Sequence, residues 1–476
     1  MNEIHPQTPV PGPNPNRLRW PWFIAAGGVL LVLLALLSRR GVDKSARNET
    51  SATASGQVAS ADSADIKPGF ERIRRSSTAP EFTAEEIVAG KVSQFVRKRR
   101  DLVRAIGRRE NKEVPPEIEK FFDALESGDW TEIEKQWKAI SSRSAQYEGS
   151  THSPELDPFW PAVLDAYGVA EQAHMWPAQK LLDYGNAILD TLRPGMIYVG
   201  GTDPGRWIPE LLNETSGGEQ HIIVTQNAFA DGRYMEFMNT LYSDRMSTLT
   251  SDDSKRAFDE YIADAKKRFE HDRQFPDEPR QVRPGEDVRL VDGKIQVSGQ
   301  VAVMAINEKM FQMLLDKNPG VSFAIEQSFP FKSTYENATP LGPIMEVRVQ
   351  DQQNALTPER ATESVDYWRA AAQQVLFPTD GQPLDEQLRL AYSKLASNQA
   401  DLLLNRNYPA QAEQTFQLAT QISPSSPEAV YGYINFLITQ DRVNDAIPIA
   451  QAAIQASPDN RQFQDLLGQL QTKKRN

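Results

Sequence analysis

Between residues 409 and 458 this 476-residue chain repeats one pattern, and that pattern constrains what the region can fold into. Ala412, Phe416, Ala419 and Pro424 are followed 34 residues later by Ala446, Ala450, Ala453 and Pro458. Small residues at three- and four-residue steps let two antiparallel helices approach closely, and a proline closes each unit. Val430, Tyr433 and Leu437 give the intervening helix its apolar face, and Phe463, Leu467 and Gly468 open a further unit. A stack this short is expected to lean on the preceding helix, which carries Val365, Trp368 and Val375. Residues 357–476 therefore read as helical throughout, a short α-solenoid.

The period, the order of small residues and the closing proline resemble the tetratricopeptide repeat over residues 393–470. Ala450 departs from that family, which usually has a large residue there, and the usual Trp, Leu and Gly of the first helix are absent. The resemblance implies a concave groove for a peptide or partner protein. Such folds bind and seldom catalyse, which points to an interaction or scaffold protein rather than an enzyme.

At the other end, Trp20 to Leu37 reads WPWFIAAGGVLLVLLALL, eighteen residues without a charge. That length is near the minimum for crossing a hydrocarbon core of about 30 Å at about 1.5 Å per residue. Trp20 and Trp22 suit one interface, and Arg39 and Arg40 stop the run at the other. Residues 1–40 are thus expected to be a tail and retained transmembrane anchor, attaching the chain to a membrane through residues 20–37. Residues 41–81 are expected to be a flexible linker, since 13 of the 21 residues from 45 to 65 are Ser, Ala or Thr. Charges flanking the span nearly balance and lean slightly toward a cytoplasmic body. The spacer favours a body on the extracytoplasmic side, at a bacterial envelope.

Two stretches lie between. Residues 82–192 read as helical, with Ile87, Val88, Val92, Phe95, Val96, Leu102, Val103 and Ile106 on one face and Arg97 to Arg100, Arg104, Arg108 and Arg109 on the other. That basic face reads either as an electrostatic foot on anionic lipid near the anchor or, the favoured reading, as a solvated surface pairing with acidic neighbours. Pro115-Pro116 and Gly128-Asp129 frame a helical hairpin, and Pro177 interrupts the helices from Pro158 to Leu192. Residues 193–356 change character. MIYV is followed by GGTDPGR and a helix, and HIIVTQ by NAFADG and a helix, which is a βαβ unit with parallel strands. Strands at 288–291, 294–297, 321–327 and 344–350, and a helix NEKMFQMLLD, complete a small parallel or mixed sheet module flanked by helices. Pro340 to Pro343 reads as a turn.

Candidate chemistry concentrates at the two loops. Ligands of open parallel sheets bind beyond the carboxyl ends of the strands, where GGTDPGR and QNAFADGR belong. Gly200, Gly201 and Gly205 permit positive φ and close backbone approach. Arg206 suits a phosphate or carboxylate beside a helix N-terminus. Thr202, Asp203, Gly205, Arg206, Gln226, Asn227 and Asp231 are therefore the candidate ligand-binding residues, for a glycan or phosphosugar in an envelope enzyme or binding module. The competing reading makes Thr202 to Gly205 a tight turn capping a helix, with Arg206 pairing locally.

Several classes are excluded or disfavoured. The chain has no cysteine, so disulfides, thiolate zinc sites, iron–sulfur clusters and a cysteine nucleophile are out. Its five histidines show no metal-ligand spacing, and no metal or cofactor is expected. A formal charge of −12 argues against nucleic acid as a partner.

The blocks PGMIYVGGTDPGRWIPELL, IIVTQNAFADGRYMEFMNTLY and FAIEQSFPFKSTYENATPLGPIMEV, in that order, are similar to the soluble extracytoplasmic part of bacterial multi-pass membrane proteins related to protein O-mannosyltransferases. The resemblance implies an exported, envelope-facing body. It implies no transferase activity, because the multi-span catalytic part of those proteins has no counterpart here.

Overall fold

The computed structural model describes residues 82–475, apart from 145–152, 292, 349–354 and 379–384. The anchor expected at residues 20–37 and the linker at 41–81 lie outside these residues. Among the described residues no helix is long and apolar enough to cross a membrane.

The first layer is helical. Helix α1 (Ala84–Glu110) starts at a capping box, in which the Glu86 amide donates to Thr83 Oγ1 (3.2 Å) and the Thr83 amide to Glu86 Oε2 (2.9 Å). Of its expected apolar face, Val88, Phe95, Val96, Val103 and Ile106 are buried, whereas Ile87 is exposed at the margin of the stripe. The basic face does not stay in solvent as a block. Arg100 pairs with Glu119, Asp123 and Glu126, and Arg104 with Glu119, all on the next helix. Helices α2 (Pro116–Ser127) and α3 (Trp130–Ser141) form the expected hairpin, its turn made by Gly128 at φ 72° and by the Asp129 cap. Helix α4 (Trp160–Met175) is buried on nearly every side, and after Pro177 the chain continues as α5 (Ala178–Leu189).

A five-stranded mixed sheet follows, in the order β2-β1-β5-β7-β6. Strands β1 (Ile197–Gly200), β2 (Ile222–Thr225) and β5 (Phe323–Ile325) are parallel. Each is buried along its whole length, which is why their sequences are apolar runs without alternation. Strands β6 (Ala338–Leu341) and β7 (Ile344–Val347) add an antiparallel hairpin at the β5 side. Pro340 and Leu341, expected in a turn, thus belong to an edge strand, a position where a proline costs no ladder bond. The turn is Gly342-Pro343, with Gly342 at φ 54°.

Helix α6 (Asp203–Glu214) crosses from β1 to β2. Helix α7 (Gly232–Tyr242), helix α8 (Ser251–Gln274), a separate hairpin of β3 (Asp287–Val291) with β4 (Lys294–Ser298), and α9 (Gln300–Lys317) then return the chain to β5 on the opposite side of β1. Helix α8 was not anticipated. Its start carries a capping box between Thr250 and Asp253, and Ala257, Phe258, Tyr261 and Ala265 are its buried stripe.

The remainder is helical, as α10 (Pro358–Leu376), α11 (Glu386–Asn405), α12 (Pro409–Ile422), α13 (Pro427–Thr439), α14 (Val443–Ala456) and α15 (Arg461–Arg475). Helices α12 and α14 begin and end 34 residues apart. Ala412, Phe416, Ala419, Ala446, Ala450 and Ala453 are all fully buried between the paired helices. The apolar core that includes Val88 runs without a break through the sheet to Leu395, Ala419 and Ala429 of the repeat helices.

Candidate functional site

The chain turns in opposite directions after β1 and after β2, so the crevice between the carboxyl ends of β1 and β5 is the topological switch point of this sheet. GGTDPGR, QNAFADGR and the segment after β5 all meet there. The GGTDPGR loop, however, wraps around a residue of the protein itself. The amides of Gly201 and Thr202 both donate to Glu326 Oε2, each at 2.7 Å. Glu326 is 1% exposed, and it occupies the place at the α6 N-terminus where an external anion would be expected.

The glycines follow from this arrangement. A Cβ on Gly205 would lie 2.2 Å from Glu326 Oε2, and one on Gly201 would lie 2.3 Å from the Ser328 amide. Gly200, Gly201 and Gly205 are therefore required by close approach. None of the three has positive φ, contrary to that part of the expectation.

Thr202 caps α6, its Oγ1 accepting from the Gly205 amide (3.0 Å). The Gln226 side chain donates to Phe329 O (2.6 Å) and accepts from the Ser328 amide (3.0 Å). Asn227 donates to Gly201 O and accepts from Ser328 Oγ (2.7 Å). These three residues stitch the strand ends together. Asp203 is the exception. It sits at the start of α6, makes no hydrogen bond or ion pair among the described residues, and is pushed up to about 7 by burial and the nearby Glu171 carboxylate, against Arg206 and Lys394. Burial also raises Glu326, opposed by its two amide donors.

Two candidates are elsewhere. Asp231 caps α7 through the Arg233 amide (2.9 Å) and pairs with the Arg233 guanidinium (2.9 Å). Arg206 points into the helical layer, where it bonds Asp165 of α4 and lies 3.8 Å from Glu210 of its own helix. The local-pairing reading of Arg206 describes its geometry. Glu326, Ser328 and Lys394 were not among the candidates. The signal for the first was its place one residue beyond β5, beside the end of β1, which only the strand register reveals.

Helix α11 closes this edge of the sheet. Asn398 donates to Gln327 O (2.7 Å), and Gln399 donates to Gly342 O (2.6 Å) and Ile344 O (2.8 Å) while accepting from Trp368 Nε1 (3.0 Å). Arg406 donates to the carbonyls of Tyr335 (3.0 Å), Glu336 (2.6 Å) and Ala338 (3.1 Å). The first repeat helix is therefore fixed to the sheet, and the open part of the repeat face falls to α13 and α15. Lys394 reaches Glu428 (2.8 Å), the half-buried Tyr431 ring stands 6.0 Å from Phe463, and Asn435, Gln462, Asp465 and Gln469 are exposed along the same strip.

No curated protein and no solved structure matches the chain. The family model for the tetratricopeptide repeat matches residues 403–470, which hold α12, α13, α14 and most of α15. Over residues 403–470 the chain is thus similar to tetratricopeptide repeats.

Proposed function

We propose that this chain is a membrane-tethered scaffold that binds a protein or peptide partner on the open face of its repeats. The observation that carries the reading is the repeat match over residues 403–470, since repeats of this family generally mediate protein–protein interaction. The face away from the sheet runs over Tyr431, Asn435 and Asp465. The half-buried Tyr431 ring and the exposed Asp465 carboxylate suit a partner segment that carries a basic group.

Residues 20–37 act as the membrane anchor and residues 41–81 as the spacer that holds the body off the bilayer, on the extracytoplasmic side. That placement rests on the spacer's composition and on the resemblance of the three sequence blocks named above. The GGTDPGR loop has a supporting role here, because its amides are already spent on Glu326.

The test is capture from solubilised native membranes with the wild type and with Asn435→Arg/Asp465→Arg. Both positions are exposed, so the expected change in stability is within about 0.5 kcal/mol for each. A partner retained by the wild type and lost by the variant supports the groove. Equal recovery by both, or none by either, removes it. Deleting residues 20–37 should release the chain from the membrane fraction, and continued sedimentation with membranes would count against the anchor.

A further inference from the structure

Beneath the sheet, α1, α4 and α6 meet at a cluster of five charged side chains. Arg99 of α1 holds Glu214 with two bonds (2.8 and 2.6 Å) and Glu210 with one (2.6 Å). Arg206 holds Asp165. Two guanidiniums thus face three carboxylates, and the group carries a formal charge of −1. Arg99, Asp165, Arg206 and Glu210 are each at most 6% exposed. An uncompensated charge in such a place costs several kcal/mol, and neutralisation by a proton is the usual escape.

Two oxygens of the cluster lack a donor. Asp165 Oδ2 and Glu210 Oε2 are both buried without a hydrogen-bond partner. Each lies near a guanidinium Nε without bonding it, at 3.5 Å from Arg99 and 3.8 Å from Arg206 respectively. Both residues line one small cavity of about 10 Å³, together with Ile223, Val224, Phe237 and Met238. That is the lower bound for a single water. The tyrosines of α7 that face the cluster are engaged with β2: Tyr242 donates to Ile223 O (3.1 Å), and Tyr234 accepts from the Thr225 amide (2.8 Å).

We infer that Glu210 carries a proton at neutral pH and offers it to Asp165 across the cavity that both line, forming a proton-dependent latch that holds α1 against α4 and α6. The proton supplies the donor that two lone oxygens lack and brings the cluster to zero net charge. Burial and the Asp165 carboxylate push Glu210 up to about 8, against the opposing pull of Arg99 and Arg206. The folded value lies above the unfolded one, so folding takes up a proton between about pH 4.5 and about pH 8. The folded chain keeps the proton up to about pH 8, and the stability the proton adds is full below about pH 4.5 and is lost as the pH rises through that window.

Glu210→Gln keeps the shape and leaves two cations facing two anions, with no proton to share. In the infrared spectrum at neutral pH, wild type minus Glu210→Gln should show one protonated-carboxyl C=O band. Asp165→Asn should remove the same band, which covers the case in which either variant folds poorly. Between about pH 5 and about pH 9 the wild-type Tm should fall relative to that of Glu210→Gln. A difference spectrum showing only lost ionised carboxylate, or Tm curves that run parallel, overturns the assignment.

Discussion

Arg206→Ala separates a structural guanidinium from a ligand-binding one. In the folded chain Arg206 is 6% exposed, bonds Asp165, and stands 5.5 Å over the Trp207 ring and 5.7 Å over that of Tyr234. Truncation leaves Asp165 with only Arg99 Nε at 3.5 Å, beyond hydrogen-bond geometry, and takes the protonated cluster from zero to −1. Removing one partner of a buried pair costs about 3–5 kcal/mol. The lower end applies, because a further proton can be absorbed by the cluster. With an unfolding entropy of about 2.1 cal/mol/K per residue over roughly 300 residues of shared core, about 3 kcal/mol lowers Tm by about 5 °C. The assay is thermal unfolding by circular dichroism of the chain from residue 67 onward, at acid and neutral pH, with the deficit smaller in acid. Arg206→Ala melting within about 1 °C of the wild type would refute the reasoning and return Arg206 to the list of ligand contacts.

Phe416→Ala removes a fully buried ring that packs against Gly432, at a cost of about 3–5 kcal/mol; hydrogen exchange should show α12 to α14 losing protection ahead of the sheet. Gln399→Ala strips partners from Ser364, Trp368, Gly342 and Ile344, at about 1 kcal/mol for each orphaned group. Its exchange signature should be faster opening of α11 and β7 together, and unchanged protection there would show that the glutamine does not fix the repeats to the sheet.

The elements that local pattern controls were legible. The 34-residue spacing of Ala412, Phe416 and Ala419 with Ala446, Ala450 and Ala453 gave the paired helices, because close helix contact depends on side-chain size at fixed steps along one chain. The apolar runs before GGTDPGR and QNAFADG gave two parallel strands for the same kind of reason. Helix α8 went unread although Thr250 and Asp253 cap it, since its long polar faces dilute the apolar stripe. The edge strand β6 was hidden by Pro340, whose missing donor matters only inside a sheet.

The site shows the division most clearly. Chain order alone brought Thr202, Asp203, Gln226 and Asn227 to one edge, because strand direction fixes where each loop emerges. Sequence could not show that Glu326, more than a hundred residues away, would take the anion position in the GGTDPGR loop. Nor could it show that Arg206 would turn toward Asp165 instead of solvent. A charged side chain settles where its charge is balanced, and that balance is struck by partners from α1, α4 and β5 that meet only when the chain has folded.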